Sequence, residues 1–164
     1  MAKAITIYCE VLKNNEWIPS DFGFGYDEKG VVYSRDDSYT CGLLGAYSLD
    51  KSIKFIEPLH EFKLPKDISS EAKQYFNKER DEDHCIYGWH TLTELLDFDW
   101  EQLSAQKVQI FGDENNKLMA NADFDDPKGQ FVPYKIFASH LYSLLNELKT
   151  KGLPKEIRII YWVE

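Results

Sequence analysis

The sequence predicts an α+β fold: a mainly antiparallel sheet that includes both terminal strands, packed with about three helices in a single domain over residues 1–164. Three observations predict it. The opening "AITIYCEVL" and the closing "EIRIIYWVE" are β-branched, partly alternating runs, the pattern of strands. Between them, Ile136, Phe137, Leu141, Leu144, Leu145 and Leu148 recur at helical spacing. A chain of 164 residues with 43% hydrophobic content also has the material for one sizeable core.

Each element follows from local chemistry. After the first strand, "KNNE" is a turn and "WIP" a short return strand closed by Pro19. "DFGFGYDEKG" reads as a loop, then "VVYS" as a short strand. Residues 39–49 fit a short helix, weakened by Gly42 and Gly45. "DISSEAKQYFNKER" fits another, capped by Ser69 or Asp67, with Glu71 in its first turn and basic residues in its last. Thr91 and Glu94 form a capping box that starts a helix carrying Leu92, Leu95 and Leu96 on one face. "KVQIFG" and "KLMANADF" read as paired strands around the turn "DENN". A helix from Val132 to about Lys149 ends at Gly152 and Pro154.

Charge excludes some functions. With 28 acidic against 19 basic residues the net charge is −9, which argues against general binding to nucleic-acid backbones. The acidic residues are spread along the chain, so they serve solubility first, although an acidic surface also suits a basic partner or a DNA mimic. Cys9, Cys41 and Cys85 are odd in number and lack C-x-x-C spacing, so a reducing cytosol fits better than a disulfide framework. The N-terminus shows no signal peptide, and no run approaches the roughly 18 apolar residues of a membrane span.

The densest chemistry lies in "DEDHCIYGWHTLTELL", residues 81–96. His84, Cys85 and His90 with Asp83 offer zinc-type ligands, but H-C-x4-H is not a standard spacing and adjacent His84 and Cys85 point apart unless the loop bends tightly. Cys85 with His84 or His90 would be a nucleophile and base, without a signature around it. Neither a metal nor a catalytic residue is therefore assigned, and no cofactor is called for. His84 and His90 read as flanking a helix entrance, with cleft lining as the alternative. Asp97 and Asp99 read as solvated carboxylates, and "GFG" at 23–25 lacks the rest of a phosphate loop. Arg35 beside Asp36 and Asp37 reads first as a structural pair, with a phosphate grip near Tyr39 as the alternative its fork geometry allows.

Five segments, "YCEVLKNNEW", "SRDDSYTCGLLG", "KLPKDIS", "WHTLTELLDFDW" and "LPKEIRIIYWVE", occur in an order that resembles a family of small uncharacterised bacteriophage and prophage proteins. That family reads D-I-H-x-x-x-E…W, R-N-Y-x-L-F-x-x-L, G-L-P-x-D-V-S, H-S-x-S-W-L-T-x-x-E-L-L and D-V-R-I-V-F-x-F. Here D-I-H falls on Ala4-Ile5-Thr6 and H-S-x-S on Cys85-Ile86-Tyr87-Gly88, with His84 displaced by one position. The resemblance implies a phage accessory protein acting in the host cytoplasm. The lost polar groups favour binding or architecture over catalysis. The leading expectation is a non-enzymatic antagonist of host antiphage defence that sequesters a nucleotide-derived immune signal. Arg35 would hold phosphate, Tyr39, Trp89 or Trp100 would stack on the base, and His84 and His90 would line the cleft. The alternatives are an acidic protein–protein inhibitor or DNA mimic bound to a host defence protein, and a metal-dependent hydrolase using Asp83, His84 and His90. Self-association is left open.

Overall fold

The structure is a computed structural model, and it describes residues 4–44, 56, 63–79, 86–104, 107–112, 118–120 and 129–164. Its frame is a five-stranded antiparallel sheet. The strands are β1 (Ala4–Lys13), β2 (Glu16–Pro19), β3 (Val31–Asp36), β4 (Ile86–Thr91) and the C-terminal strand Ile157–Val163. A separate hairpin pairs β5 (Ile110–Gly112) with β6 (Leu118–Ala120), so the C-terminal strand is β7. The two chain ends are neighbours, as the sequence predicts. β7 lies between β1 and β4, in register from Ile5↔Val163 to Val11↔Ile157 and from Ile86↔Val163 to Thr91↔Arg158. β1 is long enough to pair with β3 along its first half and with β2 along its second. The β1–β2 turn places Asn14 and Asn15 at φ 52° and 63°, the left-handed region that Asn tolerates better than most residues.

Alternation along β7 sends side chains to two cores. Ile157, Ile159, Tyr161 and Val163 enter the larger, and Ile160 and Trp162 the smaller. Helices cover both faces, which is why every residue of β7 is buried. On the larger side lie α1 (Ser38–Leu43), α3 (Leu92–Asp97), α4 (Tyr134–Phe137) and α5 (Ser139–Leu148). The smaller core is closed by α2 (Ser70–Glu79) through Ala72 and Phe76.

The start signals read from sequence hold at two helices. Thr91 Oγ1 accepts from the Glu94 amide at 3.2 Å, and the Glu94 carboxylate accepts from the Thr91 amide at 3.1 Å, closing the capping box. Ser69 caps α2, its hydroxyl accepting from the Ala72 amide at 3.2 Å. Two readings change. Residues 86–91 form a strand rather than the last part of a loop. The single helix expected over 132–149 breaks at Ala138, whose φ of −116° and ψ of 54° are not helical, giving α4 and α5.

Gly30 has φ +95°, and a Cβ there would meet the ring of Tyr8, whereas Gly25, at φ +88°, has open space around it. Gly30→Ala and Gly25→Ala should therefore share a left-handed penalty of about 1–2 kcal/mol. Only Gly30→Ala adds an overpacking cost of roughly 1–3 kcal/mol. Urea denaturation of both variants checks this, and equal midpoints would show that the Tyr8 ring yields freely.

Candidate functional site

The most elaborate polar cluster among the described residues is built on an arginine near the start of β7, a central strand of the sheet. Arg158 lies directly across from Glu10 in the β1–β7 ladder. Both are almost completely buried, at 1% and 0% exposure. Nε and Nη2 of Arg158 donate to Glu10 Oε1 at 2.9 and 2.6 Å. Nη1 donates to Asp67 Oδ1 at 2.7 Å, and Nη2 also to the Asp67 carbonyl at 3.2 Å. The other Glu10 oxygen, Oε2, accepts from the Ser69 amide at 2.9 Å. The ring of Trp17 packs against the guanidinium at 4.2 Å from its centroid, and that of Trp89 at 5.3 Å, a favourable cation–π arrangement.

This cluster has one cation and two carboxylates. The nitrogens of Arg158 are already turned to acceptors, so it offers no free fork to a phosphate. Beside it opens a cleft of about 380 Å³ walled by Trp17 and Ile18 and edged by Glu16, Asp67 and Glu71. Such a rim attracts cationic groups and repels anions.

The residues singled out in the sequence occupy separate environments. Arg35 is exposed on β3, with Nη1 3.5 Å from Nδ1 of His140 on α5. Tyr39 is buried on α1, edge-on to Phe137 at 4.5 Å. Trp100 is buried as well, donating Nε1–H to the Leu95 carbonyl at 2.9 Å and stacking on Tyr142 at 5.3 Å. Trp89 and His90 are successive residues of β4 and project to opposite faces. Trp89 goes to the arginine, whereas His90 stacks on Tyr161 at 5.6 Å inside the larger core. The Ile56 carbonyl lies 3.1 Å from His90 Nε2, which identifies Nε2 as the protonated nitrogen. His90 immediately precedes Thr91, the N-cap of α3, so it does flank a helix entrance, with its ring in the core rather than in a cleft. His84, with Asp83 and Cys85, lies outside the described residues. Among those described, no group of three His, Cys, Asp or Glu side chains is placed to hold a metal ion, and no helix is long and apolar enough to cross a membrane.

Glu10, Trp17 and Arg158 were not singled out from sequence, and Asp67 and Ser69 were read only as candidate caps of a helix. The available signal was a charged residue within each apolar terminal strand, Glu10 in "IYCEVL" and Arg158 in "IRIIYW". Charges that are fully buried are rare unless paired, so two such strands point to each other.

Two further groups are structural. Asp37 caps α1, accepting from the Thr40 amide at 3.0 Å, and also accepts from the Tyr33 hydroxyl at 2.6 Å. Burial, then the Asp37 charge, holds the Tyr33 phenol far above its ordinary pKa, so it remains a neutral donor. Burial pushes the Cys9 thiol up to about 12, which suppresses the reactive thiolate.

No protein-family model, curated protein or solved structure matches the chain. Fold and cluster together define a class, an α+β protein whose sheet carries a buried arginine site.

Arg158→Met should cost about 3–5 kcal/mol, because Glu10 then stays buried without its counter-ion. The double variant Glu10→Leu/Arg158→Met should recover most of that loss. Asp67→Asn should cost at most about 1 kcal/mol, since the Asp67 side chain is 67% exposed. Chemical denaturation distinguishes the three, and a double variant as unstable as Arg158→Met would contradict the pairing argument. In a Cys85→Ser background, Cys9 should resist thiol reagents at pH 8 until the protein unfolds; rapid labelling of the native state would contradict its burial.

Proposed function

We propose that the protein is a non-enzymatic binding protein, a phage accessory factor acting on a host defence component, and that its partner is a basic protein docking at the acidic cleft beside Trp17. The observation that carries the reading is the placement of Glu16, Asp67 and Glu71 around an indole wall. Aromatic residues anchor protein interfaces, and carboxylates at the rim steer a basic partner and select its orientation. The net charge of −9 extends the same field over the whole molecule. The phage resemblance supports the reading from another side. Glu10, Trp17, Asp67, Ser69, Trp89 and Arg158 fall on lettered positions of the family's pattern. Four of the five segments that carry the resemblance thus build this cluster.

Sequestration of a nucleotide at Arg35, Tyr39, Trp89 and Trp100 draws no support from their placement, since two of the rings are core residues and the third faces the arginine site.

Glu16→Lys/Glu71→Lys reverses the cleft's charge without touching the buried pair. Wild type should capture a basic host protein at low ionic strength and release it at high ionic strength, and the variant should not capture it. A capture profile unchanged by the double reversal would sink this reading.

A further inference from the structure

A second groove, of about 370 Å³, lies where the end of the β1–β2 hairpin meets the chain leaving α5. Its apolar lining includes Val11, Phe22, Leu153 and Ile157. Val11 and Phe22 pack against the larger core and are half-buried, while Leu153 is 56% exposed. An exposed leucine over an apolar floor leaves hydrophobic surface that a ligand could cover. The rim carries Lys13, Lys29 and Lys151 against Asp21 and Glu156. Three cations against two carboxylates give a local charge of +1 on a chain whose total is −9. All three lysines are exposed, and none forms a salt bridge within the described structure. Part of the Lys151 charge answers the C-terminal end of α5, which closes at Lys149. No helix end of this kind is needed to explain Lys13, at the end of β1, or Lys29, in the loop before β3.

We infer that this groove binds a small amphipathic anion of the nucleoside monophosphate class. The base lies over Phe22 and Leu153, and the phosphate lies among the lysine ammonium groups, which bind phosphate as point charges. The volume falls in the range of about 300–1,000 Å³ typical of small-molecule sites. The open groove suits a short planar body, whereas a long acyl chain needs a tunnel. The inference does not depend on the basic partner proposed above, because the two sites draw on different charged residues.

The test is a titration of ¹⁵N-labelled protein with adenosine 5′-monophosphate, adenosine and inorganic phosphate, read by amide chemical shifts. The nucleotide should shift Lys13, Phe22, Gly152 and Leu153 saturably, and adenosine or phosphate alone should bind at least about tenfold more weakly. Lys13→Glu/Lys29→Glu/Lys151→Glu should weaken nucleotide binding by about tenfold or more while spectral dispersion is retained. Should the triple variant fail to fold, Lys29→Glu alone decides, and it should weaken binding measurably. Saturable shifts at the groove that depend on both base and phosphate establish the site. No saturable shift, shifts centred elsewhere, equal binding of adenosine, or indifference to the lysine reversals each overturn it.

Discussion

The Arg158–Glu10 pair is the constraint on which the sheet depends. Burying either charge alone costs several kcal/mol, so each must find the other whenever the sheet forms. They meet as direct cross-strand partners, which makes their bond a register pin. A slip of one residue would turn Arg158 toward the larger core, where Ile157 and Ile159 now point, and would turn those residues away from it. The pair also reaches beyond the strands. Asp67 and Ser69 hold the segment before α2 to it, so the helix that closes the smaller core begins from an anchored position. Trp17 on β2 and Trp89 on β4 complete the enclosure from either side of the central strands.

The opposite face of β7 is governed by shape rather than charge. Tyr161 lies over Gly88, where an added Cβ would come within 2.5 Å of its hydroxyl. That ring stacks with His90 and donates to the Leu44 carbonyl at 3.2 Å. A glycine in strand β4 thus makes room for a tyrosine in β7, and the tyrosine ties the sheet to the end of α1. The polar atoms buried here serve packing. His90, the residue whose type most suggested a ligand, takes its place among them through the Ile56 carbonyl.

Much of the architecture was legible because it is written locally. The capping box at Thr91, the cap at Ser69 and the β-branched terminal runs each depend on residues a few positions apart. β4 was hidden because Gly88 and His90 interrupt any apolar alternation in "IYGWHT", and both pack against Tyr161, more than seventy residues away. The break at Ala138 was hidden as well, since alanine carries no signal against helix. The arginine cluster required joining Glu10 to Arg158 across 148 positions. Arg35 drew notice by its fork and its aromatic neighbours, but sequence proximity to Tyr39 says nothing about direction. One side chain stands in solvent and the other in the core.

The two clefts share one small element. Ile18 of β2 lines both. The four-residue strand β2 is held to β1 by its pairing and to Arg158 by the Trp17 ring. Residues on the arginine side carry carboxylates, Glu16, Asp67 and Glu71, whereas the other groove is rimmed by Lys13, Lys29 and Lys151. Those three lysines stand against Asp21 and Glu156, so the two sides differ in net charge and in electrostatic preference. Ile18 is the residue of β2 where the two sides meet.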